Sequence, residues 1–143
     1  PGGETRMMIA CALKDEDATR LYQEDILLQY TPDGRYETEY HIKTGYNIFG
    51  IQNLSYEEDT GYWWFTAYAP EADWHSQDTL YCVDADLHTI LGRWPSLTPY
   101  GFIPLGNGQY LCTENIRGAY NRHTGVVRLC RLDPKTGMVP LEK

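Results

Sequence analysis

Hydrophobic and polar residues alternate along this chain in short runs, with the period of a strand rather than that of a helix. The clearest case is residues 35–42, where Tyr, Thr and Ile occupy the even positions and Arg, Glu and His the odd ones. That period of two predicts a half-exposed strand. The continuous apolar run at residues 7–13 predicts a strand buried on both faces, and the aromatic run at residues 62–68 predicts a core strand.

Turn signals divide the chain into many short strands. Residues 106–108 (Gly-Asn-Gly) form a tight hairpin signal, and residues 31–34 (Thr-Pro-Asp-Gly) supply the backbone angles of a turn. No long amphipathic helix is predicted, and only residues 14–24 have a composition that suits one or two helical turns. The pattern therefore predicts an all-β chain with strands near residues 7–13, 26–30, 35–42, 48–54, 62–68, 79–84, 89–94, 100–105, 109–114, 126–132 and 138–141.

One unit, a strand that runs into an Asp-containing turn, recurs three times. Its copies place Leu27, Leu80 and Val127 at equivalent positions, 53 and then 47 residues apart. A weak repeat with this period is typical of propeller blades or a similar array. We therefore predict a single all-β domain over residues 1–143, with approximate units at residues 1–45, 46–99 and 100–143.

In its order of strands and hairpins the chain resembles a β-propeller of about two and a half to three four-stranded antiparallel blades. The turn at residues 133–137 (Asp-Pro-Lys-Thr-Gly) is similar to turns found in bacterial propellers. The Gly-His and Trp-Asp marks of WD40 blades and the paired glycine of kelch blades are absent from the sequence. The resemblance is therefore one of pattern, and it selects no particular propeller family.

Three units are too few for a closed propeller, because such rings typically contain about four to eight blades. Three alternatives remain open at this point. Two chains could complete a six-bladed ring as a homodimer with two-fold symmetry, the chain could be part of a longer propeller, or the strands could form a β-sandwich or barrel. Self-association is the expectation that follows from the first alternative.

Charge and composition narrow the range of partners. The formal net charge is −8 and no Lys/Arg cluster opposes it, so neither duplex nucleic acid nor an anionic membrane is expected as a partner. No apolar run approaches the roughly 20 residues of a membrane-spanning helix, and the compartment stays unknown. The four cysteines form no Cys-x-x-Cys pair, which favours buried free thiols over a zinc or redox site, while disulfides stay open for an exported protein.

The longest loops, at residues 14–25, 70–78 and 114–125, would share one face of a propeller. Loops held by a rigid scaffold concentrate functional residues, although these loops could also be plain solvated connections. An exposed Trp could stack on a sugar, and a carboxylate beside an imidazole suits acid–base work. The candidate ligand-binding residues in two of these loops are Asp73, Trp74, His75, Glu114, Asn115, Arg117, Tyr120 and His123.

No catalytic motif accompanies these loops. The serines lack a Gly-x-Ser-x-Gly context, the glycines form no phosphate-binding signature, and the acidic run at residues 57–59 lacks the spacing of an EF-hand. That acidic run is expected to be a solvated hairpin tip, and no metal or cofactor is expected.

The sequence therefore favours a non-enzymatic binding module for a glycan, a peptide or another protein. One alternative is a metal-dependent hydrolase or lactonase of the six-bladed propeller type, which would recruit Asp73, Glu114 and Asn115 as metal ligands. Another is a fragment of a longer propeller whose function lies in other blades. Because propellers include both binders and enzymes, the fold alone does not decide between these alternatives.

Overall fold

The computed structural model describes residues 5–12, 24–45, 50–68, 79–96, 100–117 and 123–141, and these residues form strands and turns. Alternating and continuous apolar runs form strands here, and turn residues separate them, as the sequence predicts. The strands are β1 (Met7–Ala12), β2 (Asp25–Tyr30), β3 (Tyr36–Ile42), β4 (Ile51–Glu57), β5 (Tyr62–Ala67), β6 (Thr79–Val83), β7 (Ile90–Pro95), β8 (Phe102–Gly106), β9 (Gln109–Arg117), β10 (His123–Asp133) and β11 (Gly137–Pro140).

These strands form three antiparallel sheets, and each sheet is a simple meander of consecutive strands. The first sheet contains β1, β2 and β3, the middle sheet contains β4 to β7, and the last sheet contains β8 to β11. The prediction of an all-β fold is confirmed. Within the described ranges no sheet closes into a barrel, so the barrel alternative does not describe this arrangement.

The middle sheet lies between the other two and is buried on both faces. Residues one position apart on a strand point to opposite faces, so its apolar runs divide between two cores. Phe65 and Val83 join the core shared with the first sheet, whereas Trp64 and Leu80 join the core shared with the last sheet. The prediction that the aromatic run at residues 62–68 forms a core strand is confirmed.

The first and last sheets each expose apolar side chains on the face away from the middle sheet, although Ile26 on that side of the first sheet is buried. On β1, Met8 and Ala10 pack toward the middle sheet, but Ile9 is 49% exposed. The prediction that residues 7–13 are buried on both faces was therefore wrong for residues 7–12, the part of that run that the structure describes. A continuous apolar run indicates that a strand is hydrophobic on both faces. Whether another sheet covers each of those faces depends on tertiary packing.

Hydrogen bonds join the middle sheet to the last sheet at both ends of their first strands. The side chains of Asn53 and Ser55 both donate to the Phe102 carbonyl, at 2.9 and 2.7 Å. At the hairpin end, the Asn107 backbone N–H donates to Asp59 Oδ2 at 2.7 Å. These bonds hold β4 alongside β8, with their hairpin turns at the same end of the stack.

The predicted loop at residues 114–125 is partly strand. β9 continues through Arg117 and β10 begins at His123, with Arg117 opposite His123 and Asn115 opposite Gly125. The polar composition of this segment favoured a loop. Long antiparallel strands can carry polar residues once the ladder leaves the core, because backbone pairing continues without an apolar face.

Candidate functional site

The predicted loop site is only partly within the described residues. Asp73, Trp74, His75 and Tyr120 lie outside them. Asn115, Arg117 and His123 occupy strand positions next to the connection between β9 and β10. The prediction that these residues share a ligand site therefore stays a prediction.

Glu114 is engaged by a neighbouring cation. Its carboxylate oxygen Oε2 lies 2.5 Å from Nε of Arg128, and both side chains are partly exposed. The two residues lie on neighbouring strands, since Glu114 pairs with Val126 in the register of β9 and β10. A guanidinium that already contacts this carboxylate competes with any cation for it.

The acidic run at residues 57–59 forms a hairpin tip that is exposed at Glu58 and Asp59 but buried at Glu57. Glu57 is 2% exposed, and its Oε2 accepts hydrogen bonds from Trp64 Nε1 at 3.0 Å and Thr60 Oγ1 at 2.8 Å. Asp59 accepts the hydrogen bond from the Asn107 backbone N–H. Both carboxylates are thus part of the junction with the last sheet. The prediction of a solvated hairpin tip is confirmed for Glu58 and Asp59 and was wrong for Glu57, because the last residue of β4 meets the buried indole of Trp64 across the hairpin.

The surroundings of Glu57 favour neutral forms of the neighbouring groups. Burial raises the pKa of Cys82 to about 12, and the charge of Glu57 adds to this effect. Burial also raises the pKa of Tyr110, again with a contribution from Glu57. Because a thiol must ionise to act as a nucleophile, this arrangement supports a structural polar centre rather than a reactive one.

The remaining cysteines fit the same picture. Cys11, Cys82, Cys112 and Cys130 are all free, and the last three are buried. Burial raises the pKa of Cys112 to about 12, and the neighbouring Cys130 contributes. The prediction of buried free thiols is confirmed for these three, whereas Cys11 is only half-buried.

A second buried polar group lies between the first and middle sheets. Asp25, at the start of β2, is fully buried and accepts a hydrogen bond from Thr44 Oγ1 at 3.0 Å. The Tyr81 hydroxyl donates to the Thr44 carbonyl at 3.3 Å, and burial raises the pKa of Tyr81. Sequence reasoning missed this group, because an Asp before an apolar run reads as an ordinary loop residue.

A cavity of about 200 Å³ lies between the middle and last sheets. Its apolar wall includes Leu80, Phe102 and Met138, and Thr113 and Thr136 also line it. The Thr113 hydroxyl donates to the Tyr100 carbonyl. The described lining contains neither a carboxylate nor an imidazole, so the cavity suits a small uncharged molecule better than acid–base chemistry.

Most of the large hydrophobic side chains that are exposed among the described residues lie on the first and last sheets. On the last sheet, Ile103, Leu111 and Leu129 lie side by side across three strands, because each pairs with the next in register. Val127 on the same face is 64% exposed. We call this surface the last-sheet outer face, and it is formed by Ile103, Leu105, Leu111, Val127, Leu129 and Arg131.

The first sheet has a similar surface on its side away from the middle sheet. Ile9 pairs with Leu28, and Met7 pairs with Tyr30, so all four share this side. The rings of Tyr30 and Tyr36 meet edge to face with their centroids 5.7 Å apart. We call this surface the first-sheet outer face, and it is formed by Met7, Ile9, Leu28, Tyr30, Tyr36 and Glu39.

No protein-family model, curated protein or solved structure matches this chain. Within the part of the chain that the structure describes, no helix has the length and apolar character that a membrane crossing requires. Among the same residues, no three His, Cys, Asp or Glu side chains come together as metal ligands would.

Proposed function

We propose that this chain is a non-enzymatic, propeller-like binding module that binds protein surfaces through the outer faces of its end sheets. One observation carries the proposal. The middle sheet is covered on both faces, whereas the first and last sheets each expose an apolar face of the same kind. Exposed apolar patches of this type mark interaction sites in soluble proteins.

The turns support the propeller-like part of the proposal. In each sheet, the hairpin turn before the last strand begins with a residue whose side-chain oxygen accepts hydrogen bonds from backbone N–H groups. Thr31 Oγ1 accepts from Arg35, Asp84 Oδ1 from His88 and Thr89, and Asp133 Oδ1 from Lys135 and Thr136. Equivalent turns after equivalent strands are typical of a repeated unit.

These turns also revise the repeat. Counting back four residues from Thr31, Asp84 and Asp133 gives Leu27, Leu80 and Leu129. Leu129 rather than Val127 therefore corresponds to Leu27 and Leu80. The correspondence agrees with the packing, because Leu27 and Leu80 each point toward the following sheet, and Leu129 points away from the preceding one.

The other candidate functions have weaker support. A propeller hydrolase would need carboxylate ligands, but Glu114 contacts Arg128 and Asp73 lies outside the described residues. Binding of a glycan at the loop end rests on Trp74, which lies outside them as well. No feature of the described residues favours either function over binding through the sheet faces.

Site-specific photo-crosslinking tests the proposal. A photoreactive phenylalanine analogue replaces Val127 or Ile9 on the two faces, or Asp86 in an exposed turn as the control. We expect adducts with an identified partner peptide at positions 9 and 127, and loss of the adduct at 127 when Leu129→Glu is added. Equal yields at position 86 and at the faces would contradict the proposal, as would the absence of adducts at both faces.

A further inference from the structure

We propose that the occupant of the last-sheet outer face is the first-sheet outer face of a second copy of this chain. This inference rests on the proposed function and names its partner. Two copies related by a two-fold axis would form two such junctions and close a ring of six sheets.

The packing within one chain specifies this pairing. Each sheet has one face that corresponds to the side toward the following sheet and one that corresponds to the side toward the preceding sheet. In both junctions within the chain, a face of the first type packs against a face of the second type. The two sides left over are the last-sheet outer face and the first-sheet outer face. A second copy therefore offers each exposed face the kind of surface that covers the equivalent face inside the chain.

Equivalent residues show what each face lacks. Leu27 and Leu80 are 0% and 1% exposed because the following sheet covers them, whereas the equivalent Leu129 is 39% exposed. On the other side, Leu28 corresponds to Tyr81, which the first sheet buries. The exposed faces thus have apolar residues at the positions that are buried in the two junctions within the chain.

Packing, and not charge, distinguishes unlike from like pairing of the faces. Glu39 shares the first-sheet outer face with Leu28, but its Oε1 lies 3.0 Å from Nε2 of His41, which pairs with Ile26 on the same side. Arg131 on the last-sheet outer face has Asp133 two residues further along β10, on the same side of the sheet. Each face thus has both acidic and basic side chains, and the equivalence of its apolar positions to those of the covered junctions is what selects the unlike pair.

The number of sheets in two chains suits a closed ring. A ring of six falls within the range of about four to eight blades in which propellers close. Two-fold symmetry is the commonest symmetry of soluble oligomers, and a head-to-tail interface either closes into a ring or continues as a filament. The proposal is the closed ring, so the assembly has a fixed mass of two chains.

Light scattering on a size-exclusion column tests the inference with three variants. Ile9→Glu disrupts the first-sheet outer face, and Val127→Glu disrupts the last-sheet outer face. Leu91→Glu is the matched control, because Leu91 is a 48% exposed strand residue of the middle sheet that belongs to neither face. Far-UV circular dichroism and urea unfolding of each variant establish that it is folded.

We expect the wild-type chain and Leu91→Glu to have the mass of two chains. A homodimer of either face variant has both junctions disrupted, so we expect its dissociation constant to rise by at least about 100-fold, because a carboxylate is buried against apolar groups. An equimolar mixture of Ile9→Glu and Val127→Glu should regain the two-chain mass. In the mixed dimer, one junction joins two unchanged faces.

Each other outcome contradicts the inference. If like faces paired, one face variant would stay dimeric and the mixture would not recover. A mass that grows with concentration would indicate an open filament instead of a ring. A monomeric wild-type chain would exclude the second copy as occupant, but crosslinks at positions 9 and 127 to a different protein would still support the proposed function.

Discussion

Glu57 shows how a single charged side chain at the end of a strand becomes part of the core. Glu57 is the last residue of β4, and its carboxylate lies 3.0 Å from the indole nitrogen of Trp64, a residue of the core between the middle and last sheets. A buried carboxylate is stable only when donors satisfy it, and here Trp64 Nε1 and Thr60 Oγ1 supply them. The indole N–H of Trp64 therefore contributes to stability in addition to the packing of its ring.

Replacement of Trp64 by Phe should lower the free energy of unfolding by about 2 kcal/mol, because Glu57 loses a buried donor. The control is Trp94→Phe, which removes an indole N–H that donates to the Pro134 carbonyl at an exposed position. That change should lower the free energy of unfolding by about 1 kcal/mol or less. Urea unfolding measures both values, and equal losses would show that the bond to Glu57 has no special role.

His41 makes stability depend on pH. Its Nε2 lies 3.0 Å from Glu39 Oε1, and its Nδ1 lies 3.0 Å from Glu24 Oε2. Hydrogen bonds to Glu39 and then to Glu24 raise the pKa of His41, although its partial burial acts the other way. Because the folded pKa lies above the unfolded value of about 6.5, His41 stabilises the fold below that pH, and this stabilisation is lost as the pH rises through the folded pKa.

The urea midpoint of wild type should therefore exceed that of His41→Gln by more at about pH 5.5 than at about pH 8.5. The measurement is made at a concentration at which the chain is monomeric, because association also changes apparent stability. Glu39→Gln, which removes the first partner but keeps the imidazole, should reduce the pH dependence. A midpoint difference that is constant with pH would show that the ion pair is absent in solution.

At the scale of the strand, β7 depends on a glycine. Gly92 lies opposite Cys82 on the side of the middle sheet that faces the last sheet, and the Trp94 ring covers it. A Cβ at this position would overlap the ring. The missing side chain thus lets Trp94 reach Trp64, with ring centroids 6.0 Å apart in a stacked arrangement.

Gly92→Ala should displace the Trp94 ring and destabilise the fold by about 1–3 kcal/mol, as overpacking usually does. Near-ultraviolet circular dichroism reports the Trp64–Trp94 pair and should change with the substitution. Gly125→Ala is the control, because nothing lies within 4 Å of a Cβ there and its backbone is not in the left-handed region. An unchanged spectrum in Gly92→Ala would contradict the stacking of the two rings.

At the scale of the whole molecule, the position of each sheet in the stack decides how strongly its strands are protected from local opening. The middle sheet contributes side chains to both cores, whereas the first and last sheets each contribute to one. Local opening that exposes β5 or β6 must disrupt two packed interfaces at once. Opening of β1 or β11 disrupts one interface or none.

Amide hydrogen exchange should therefore be slowest in β5 and β6 of the monomer, and faster in β1 and β11. Peptide-level mass spectrometry resolves these strands, and Ile9→Glu can be used to keep the chain monomeric. If β2 or β10 were the most protected strand instead, stability would be concentrated in an end sheet and the stacked description would be wrong.

The sequence predicted strand positions better than burial. The period of two at residues 35–42 and the turn at residues 133–137 depend on neighbours in the chain, and the structure has β3 and the β10–β11 turn there. The candidate site was less predictable. Glu114 is in an ion pair with Arg128, and Glu57 binds Trp64, because contacts between strands decide what a carboxylate does.

By itself, the sequence determined that this chain is all-β and that its strands pair as meanders, because periodicity and turn chemistry act over a few residues. Only the tertiary structure decided which apolar faces are covered. Residues 7–13 and β5 are both apolar runs, but β5 lies between two sheets and β1 lies at one end of the stack. The difference arises from the neighbours that each face meets, and a strand's own sequence does not contain that information.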